Sequence, residues 1–246
     1  MTEGSKIIIS IMKEEIRRII SYKKNVVYIV VFLAFASIGP LLFLQPLFQE
    51  QAIPAEVTLN LVTKLFTYSY AISLALFITY GLSMDSFISD KQNKALETTL
   101  TTQLSINRLW LAKSLALFMI SYISMIVVMV CFVISSNLMV AGSIVYVPEP
   151  LIWATLLGIF PITCFSAISL TGIGMLISRK FVAVNFIMFI TAFLLLFIPS
   201  FFMTDFLNIS TVHLALIYSG ISAVLLSTTL ISKRIFLQKE RVILNA

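Results

Sequence analysis

The sequence predicts an all-α integral membrane protein with six transmembrane helices and both termini in the cytoplasm, and three observations predict it. Of 246 residues, 59% are apolar or aromatic and only 11% are charged, against about a quarter charged in a soluble domain. Six apolar runs each supply the roughly 20 residues that one bilayer crossing takes. The cations are confined to alternate connections between those runs, which is how orientation is encoded in a membrane protein. A soluble globular enzyme and a disordered chain are both excluded by this composition, and 1–246 reads as a single transmembrane domain.

The first segment, 1–24, reads as an amphipathic interface helix. Ile8, Ile9, Met12, Ile16, Ile19 and Ile20 gather on one helical face, while Lys6, Lys13, Glu14, Arg17, Arg18 and Lys24 occupy the other. That is the pattern of a helix lying in the membrane surface with its cations near lipid phosphates; a plain charged topology signal is the alternative. A cleaved signal peptide is disfavoured, because the basic region is long and the next apolar run continues past Ala34-Phe35-Ala36 to Leu44.

The six spans follow as 26–44, 65–84, 114–135, 151–178, 182–202 and 211–231. Residues 1–25 carry six Lys/Arg, 85–113 four, 179–180 two and the tail 232–246 four, so sixteen of seventeen cations share one side. The other connections, 45–64, 137–150 and 203–210, hold only Lys64 beside Glu50, Glu56, Glu149 and Asp205. By the positive-inside rule the chain crosses a cell membrane, plasma or inner, with both ends cytoplasmic. The basic excess is thus an orientation signal and not a nucleic-acid surface. Trp110 and Trp153 fall where interfacial aromatics are expected.

Pro40, Pro161 and Pro199 lie within spans and predict kinks or breaks, with Phe201–Ile209 turning back at the outer surface. Gly172 and Gly174 leave room for close helix contact in span four; the ordinary tolerance of glycine in membrane helices is the alternative.

The span interiors hold almost no ionisable groups, which disfavours an ion-coupled carrier. His213 is the sole histidine, and Cys131 and Cys164 both sit in apolar runs as core thiols. There is no Gly-x-Ser-x-Gly, no His-Glu-x-x-His and no phosphate loop for ATP. The chain reads as no enzyme, with no catalytic, cofactor or metal residues of its own; if it carries out energised transport, the energy enters through another chain.

One connection stands out, the cytoplasmic loop between spans two and three, Ile88 to Lys113. Within it Leu96, Leu100 and Leu104 recur every four residues, with Lys91, Lys94, Glu97 and Arg108 around them, which predicts a short amphipathic helix over 88–108. A helix lying on lipid is one reading of it. A helix that docks a protein partner is favoured, because charges of both signs are mixed.

At these residues the sequence resembles the permease subunits of ABC-2 type ABC transporters. Asp90-Lys91 matches the acidic-Lys start of that family's loop, and Glu97, Leu100, Thr102, Leu104, Ser105 and Lys113 fit the rest. Thr99, Gln103 and Asn93-Lys94 depart from the pattern. The interface helix, six spans and the tight turn at Ser178–Phe181 extend the resemblance over the chain.

The resemblance implies a second permease chain, identical or paralogous, and a separate ABC ATP-binding subunit that holds ATP and magnesium. It makes 88–108 a coupling helix, with Asp90, Lys91, Lys94, Leu96, Glu97, Leu100, Thr102, Leu104, Ser105 and Arg108 as the ATPase-coupling set. It implies an exporter whose pathway is lined by spans one, two and five, where Phe66, Tyr68, Tyr70, Ser73, Asn185, Thr191 and Phe193 are the candidates and suit an apolar or amphipathic cargo; packing or lipid contact is the alternative for the aromatic residues. The alternatives are a non-transport scaffold or assembly factor that recruits a cytoplasmic partner, and then a secondary carrier.

Overall fold

The computed structural model describes residues 3–34, 37, 55–83, 86–87, 90, 105–140, 147–178, 180–201 and 210–236, and among them every regular element is a helix. α1 (Glu3–Ser21) bends at Tyr22 into α2 (23–34). A long run follows: α3 (Ala55–Leu65), a π-helical stretch (Phe66–Ala71) and α4 (Ile72–Ser83). After α5 (Ile106–Val140), a second such run comprises α6 (Pro150–Ala154), a π-helical stretch (Thr155–Ile159) and α7 (Phe160–Ile177). α8 (Phe181–Phe201) and α9 (Thr211–Phe236) complete the order.

Four of these runs are long and apolar enough to cross a bilayer: Leu59–Ser83, Ile106–Leu138, Pro150–Ile177 and Thr211–Phe236. α8 adds a shorter apolar stretch, Val182–Phe193, and α2 covers 26–34 of the first predicted span. Helices are the form expected here, since each backbone group finds its partner within the segment. Several hydroxyls inside them are satisfied the same way. Ser73, Thr79, Ser136 and Thr171 each donate to the carbonyl four residues back, at 2.7–2.8 Å.

α5 and α7 pack at the centre, with α1 on α5, α9 on α7 and α8 on α4. One apolar cluster lies toward the N-terminal ends of α3 and α6, where the Phe66 and Phe132 rings stack with centroids 3.9 Å apart. The other joins Ile19 of α1 to Ile78, Leu82, Leu109 and Leu176. Gly172 is needed at that second cluster, because a Cβ there would lie 3.0 Å from the Phe87 ring, and one on Gly174 would lie 2.9 Å from Val184.

Several sequence expectations are corrected. Span two begins before residue 65: Leu59 and Val62 are core residues, and Lys64, assigned to an outer connection, lies within the helix and is 7% exposed. Span three begins before 114, so Arg108 belongs to α5 and not to a separate loop helix, while Ser105 precedes the first turn and its carbonyl accepts from Arg108 and Leu109. Trp110 is a core residue, its indole N–H donating to Ser169 at 3.0 Å with Lys233 over the ring. Ile20, placed on the apolar face of α1, is exposed, and Arg18, placed on the polar face, is turned inward. The helix runs through Pro199 to Phe201, and the rest of the predicted Phe201–Ile209 turn lies outside the described residues. At Pro161, where a kink was expected, the preceding turn is a π-helix, an arrangement that accommodates the missing donor.

Candidate functional site

The highest concentration of buried charge among the described residues lies where α1, the end of the α3–α4 run and α5 meet. Glu15 and Arg18 stand three apart on α1, within reach of each other on one helical face, and Arg18 Nη2 donates to Glu15 Oε1 at 2.7 Å. Arg18 Nη1 donates to Asp90 Oδ1 at 2.7 Å. Lys113 Nζ, one helical turn beyond Leu109 on α5, lies 2.8 Å from Asp90 Oδ2 and 3.2 Å from Glu15 Oε1. Among the described residues, two anions and two cations therefore alternate in a ring in equal number.

The ring is shielded. The Lys113 and Glu15 side chains are 3% and 7% exposed, the Ser86 carbonyl accepts from both Lys113 and Arg18, and the Phe87 ring lies 5.6 Å from the ammonium. Burial alone would lower the pKa of Arg18, but Glu15 and Asp90 outweigh it and hold the guanidinium above its usual value. Buried ions are tolerated when every charge is matched, whereas removing one member leaves an uncompensated charge at a cost of about 3–5 kcal/mol. The ring thus fastens α1, the residues following α4 and the first turns of α5 into one unit.

A second polar centre lies at the opposite end of the α3–α4 run, where it meets the start of α6 and of α9. Asn60 of α3 donates to Glu149 Oε1 at 2.7 Å and Thr211 of α9 to Oε2 at 2.9 Å. These two bonds, aided by the Lys64 charge, hold the Glu149 carboxyl below the usual carboxylate range against the opposing effect of burial. Two turns deeper the same three runs meet again, where the Tyr68 and Thr155 hydroxyls are 3.1 Å apart and Tyr218 donates to the Tyr68 carbonyl. Tyr68 and Thr155 each lie in a π-helical stretch, so the two irregular turns face each other. At the start of α9 the Ser210 hydroxyl accepts from the His213 backbone N–H, and His213 Nδ1 lies 2.6 Å from the same hydroxyl. No group of three metal-ligating side chains converges among the described residues.

Of the predicted coupling set, Asp90 is in the ring, Ser105 and Arg108 open α5, and Lys91, Lys94, Leu96, Glu97, Leu100, Thr102 and Leu104 lie outside the described residues. The two ends of the loop motif, Asp90 and Lys113, are brought into contact. Of the predicted lining set, Phe66, Tyr68 and Ser73 are buried among the protein's own helices, Tyr70 is half-buried, and Thr191 and Phe193 are exposed on α8; Asn185 lies on that helix too. Phe193 belongs to an aromatic row with Phe186 and Phe189, which packs on Phe77 and Tyr80.

Sequence reasoning missed Glu15 and the inward role of Arg18. A signal was present, since Glu15 falls between Ile8, Ile11 and Ile19 on the apolar face of α1, where an acid needs a buried partner. Compared with protein-family models and with curated proteins, the chain matches none.

Proposed function

We propose that the chain is the permease subunit of an ATP-driven exporter of the ABC-2 type, crossing the membrane six times with both termini cytoplasmic. The observation that carries this reading is the contact between Asp90 and Lys113, 2.8 Å apart, because these are the first and last matches of the loop whose pattern resembles that family. Force applied to residues 91–104 enters the membrane segments through their two anchored ends.

On this reading a separate ATP-binding subunit, holding ATP and magnesium, docks on the loop from the cytoplasm, and a second permease chain completes the pathway. Closure of the ATPase pair moves the loop, and the ring passes that movement to α1, α4 and α5 as one body. Work is transmitted only if the ATPase contacts the loop differently in its two states. The exposed aromatic row of α8 offers an apolar lining between the two permeases, suited to apolar or amphipathic cargo.

The test is purification of the chain from its native membrane. An ATP-binding subunit should accompany it and should be lost with the double variant Glu97→Lys/Leu100→Asp, while membrane insertion is unchanged. Retention of the same partner by that variant, or co-purification with a protein lacking nucleotide-binding loops, overturns the reading in favour of a scaffold.

A further inference from the structure

The charges of α1 divide between two faces. Glu15 and Arg18 turn into the ionic ring, while Lys6, Ser10, Lys13 and Arg17 are exposed. Their spacing of four, three and four residues makes one stripe on the side of the helix away from the bundle, about 16 Å long at about 1.5 Å per residue. Arg17, 79% exposed, meets Glu14 only in a 3.4 Å surface pair, a contact worth little in water.

Apolar surface follows the stripe along the chain. After the bend at Tyr22, α2 exposes Val27, Val30 and Val31 at 57–62%. A soluble acidic protein would match the cations and leave those valines bare. A molecule with an anionic head and a hydrocarbon tail matches both.

We infer that the stripe of Lys6, Lys13 and Arg17 on α1, with the valine face of α2 beside it, is a binding site for anionic phospholipid, the phosphate on the cations and an acyl chain along Val27, Val30 and Val31. The inference rests on the membrane-surface placement of α1 proposed above. Headgroups near a surface helix attract each Lys or Arg, and the apolar flank adds to that attraction. Because the other face of α1 holds Asp90 and Lys113, a bound lipid steadies the helix that clamps the loop.

The test uses the full chain in uncharged detergent with fluorescent phosphatidylglycerol as the probe. Unlabelled phosphatidylglycerol should displace it on the order of a hundredfold more effectively than phosphatidylcholine, from three cations near the surface, and the preference should shrink as salt is raised. The variant Lys6→Gln/Lys13→Gln/Arg17→Gln should unfold at the same temperature in detergent yet lose most of that preference. An unchanged preference in the variant, or equal displacement by the two lipids, overturns the site. Stronger displacement by poly-glutamate than by phosphatidylglycerol overturns the lipid as occupant and assigns the stripe to an acidic protein. Orientation fails separately: a cysteine introduced by Ser10→Cys that reacts with an impermeant thiol reagent from outside intact cells refutes the inside placement without altering the lipid preference in detergent.

Discussion

Lys113 Nζ holds the Asp90 carboxylate at 2.8 Å from a position that is itself 3% exposed. Among the described residues, the ammonium charge is balanced by Asp90 and Glu15. Charge parity then decides how substitutions behave. Lys113→Met leaves two acids facing Arg18, and Asp90→Asn leaves two bases facing Glu15, each at a cost of about 3–5 kcal/mol. The pair Lys113→Met/Asp90→Asn keeps Glu15 with Arg18 and restores neutrality. Thermal unfolding in detergent should therefore rank the double variant above both single ones; a double variant less stable than either shows that the ring is not a closed set.

The approach of α2 to α4 depends on a glycine. The Tyr28 ring lies against Gly81, where an added Cβ would fall 2.5 Å from a ring carbon, and the Tyr28 hydroxyl donates to the Phe77 carbonyl at 2.7 Å. Gly81→Ala should destabilise by about 1–3 kcal/mol as an overpacked contact. Adding Tyr28→Ala should recover much of that loss, a coupling readable in a double-mutant cycle. Additive losses place Tyr28 elsewhere.

Glu149 gives a pH dependence whose sign is fixed by its partners. Its carboxyl is held below the usual range by Asn60 and Thr211, so the folded state favours the ionised form. The stabilisation is complete above the unfolded pKa of about 4.3 and is lost as pH falls through the lower folded value. Wild type should lose stability on that descent, because the hydrogen bonds from Asn60 and Thr211 weaken once the carboxyl is protonated. Glu149→Gln should remove this part of the acid sensitivity, measured as the unfolding temperature from pH 6 to pH 3.

Much of this architecture is legible in the sequence because apolar length and charge sorting are strong signals. The four long runs overlap the predicted spans two, three, four and six, and Pro161 marked the place where a regular helix fails. What stayed hidden was which polar residues pair across elements. Lys64 looked like a loop cation because a charge usually ends a span; Leu59 and Val62 extend the helix past it, and Glu149 supplies the opposite charge. Tyr68 and Phe66 looked like lining because a helix periodicity cannot say which side meets Phe132 and Thr155. Glu15 and Arg18 find partners far along the chain, Lys113 and Asp90, which no local pattern reveals.

The facing π-helical turns make a last prediction about the centre of the bundle. Thr155 has one hydroxyl hydrogen and donates it to the Leu151 carbonyl at 2.8 Å, so in the 3.1 Å contact Tyr68 is the donor. Thr155→Val keeps the shape but leaves the Tyr68 hydroxyl buried without its acceptor, whereas Tyr68→Phe removes the donor and leaves Thr155 satisfied on its own helix. The two changes are therefore unequal. Thr155→Val should destabilise the chain more than Tyr68→Phe does, and Thr155→Val/Tyr68→Phe should resemble Tyr68→Phe alone, with a coupling of about 0.5–1.7 kcal/mol as expected for hydrogen bonds between membrane helices. Unfolding in detergent measured for the four chains checks this. Equal and additive losses mean that the two hydroxyls do not share a proton, and that the π-helical turns are held by packing against Phe160 and Tyr218 instead.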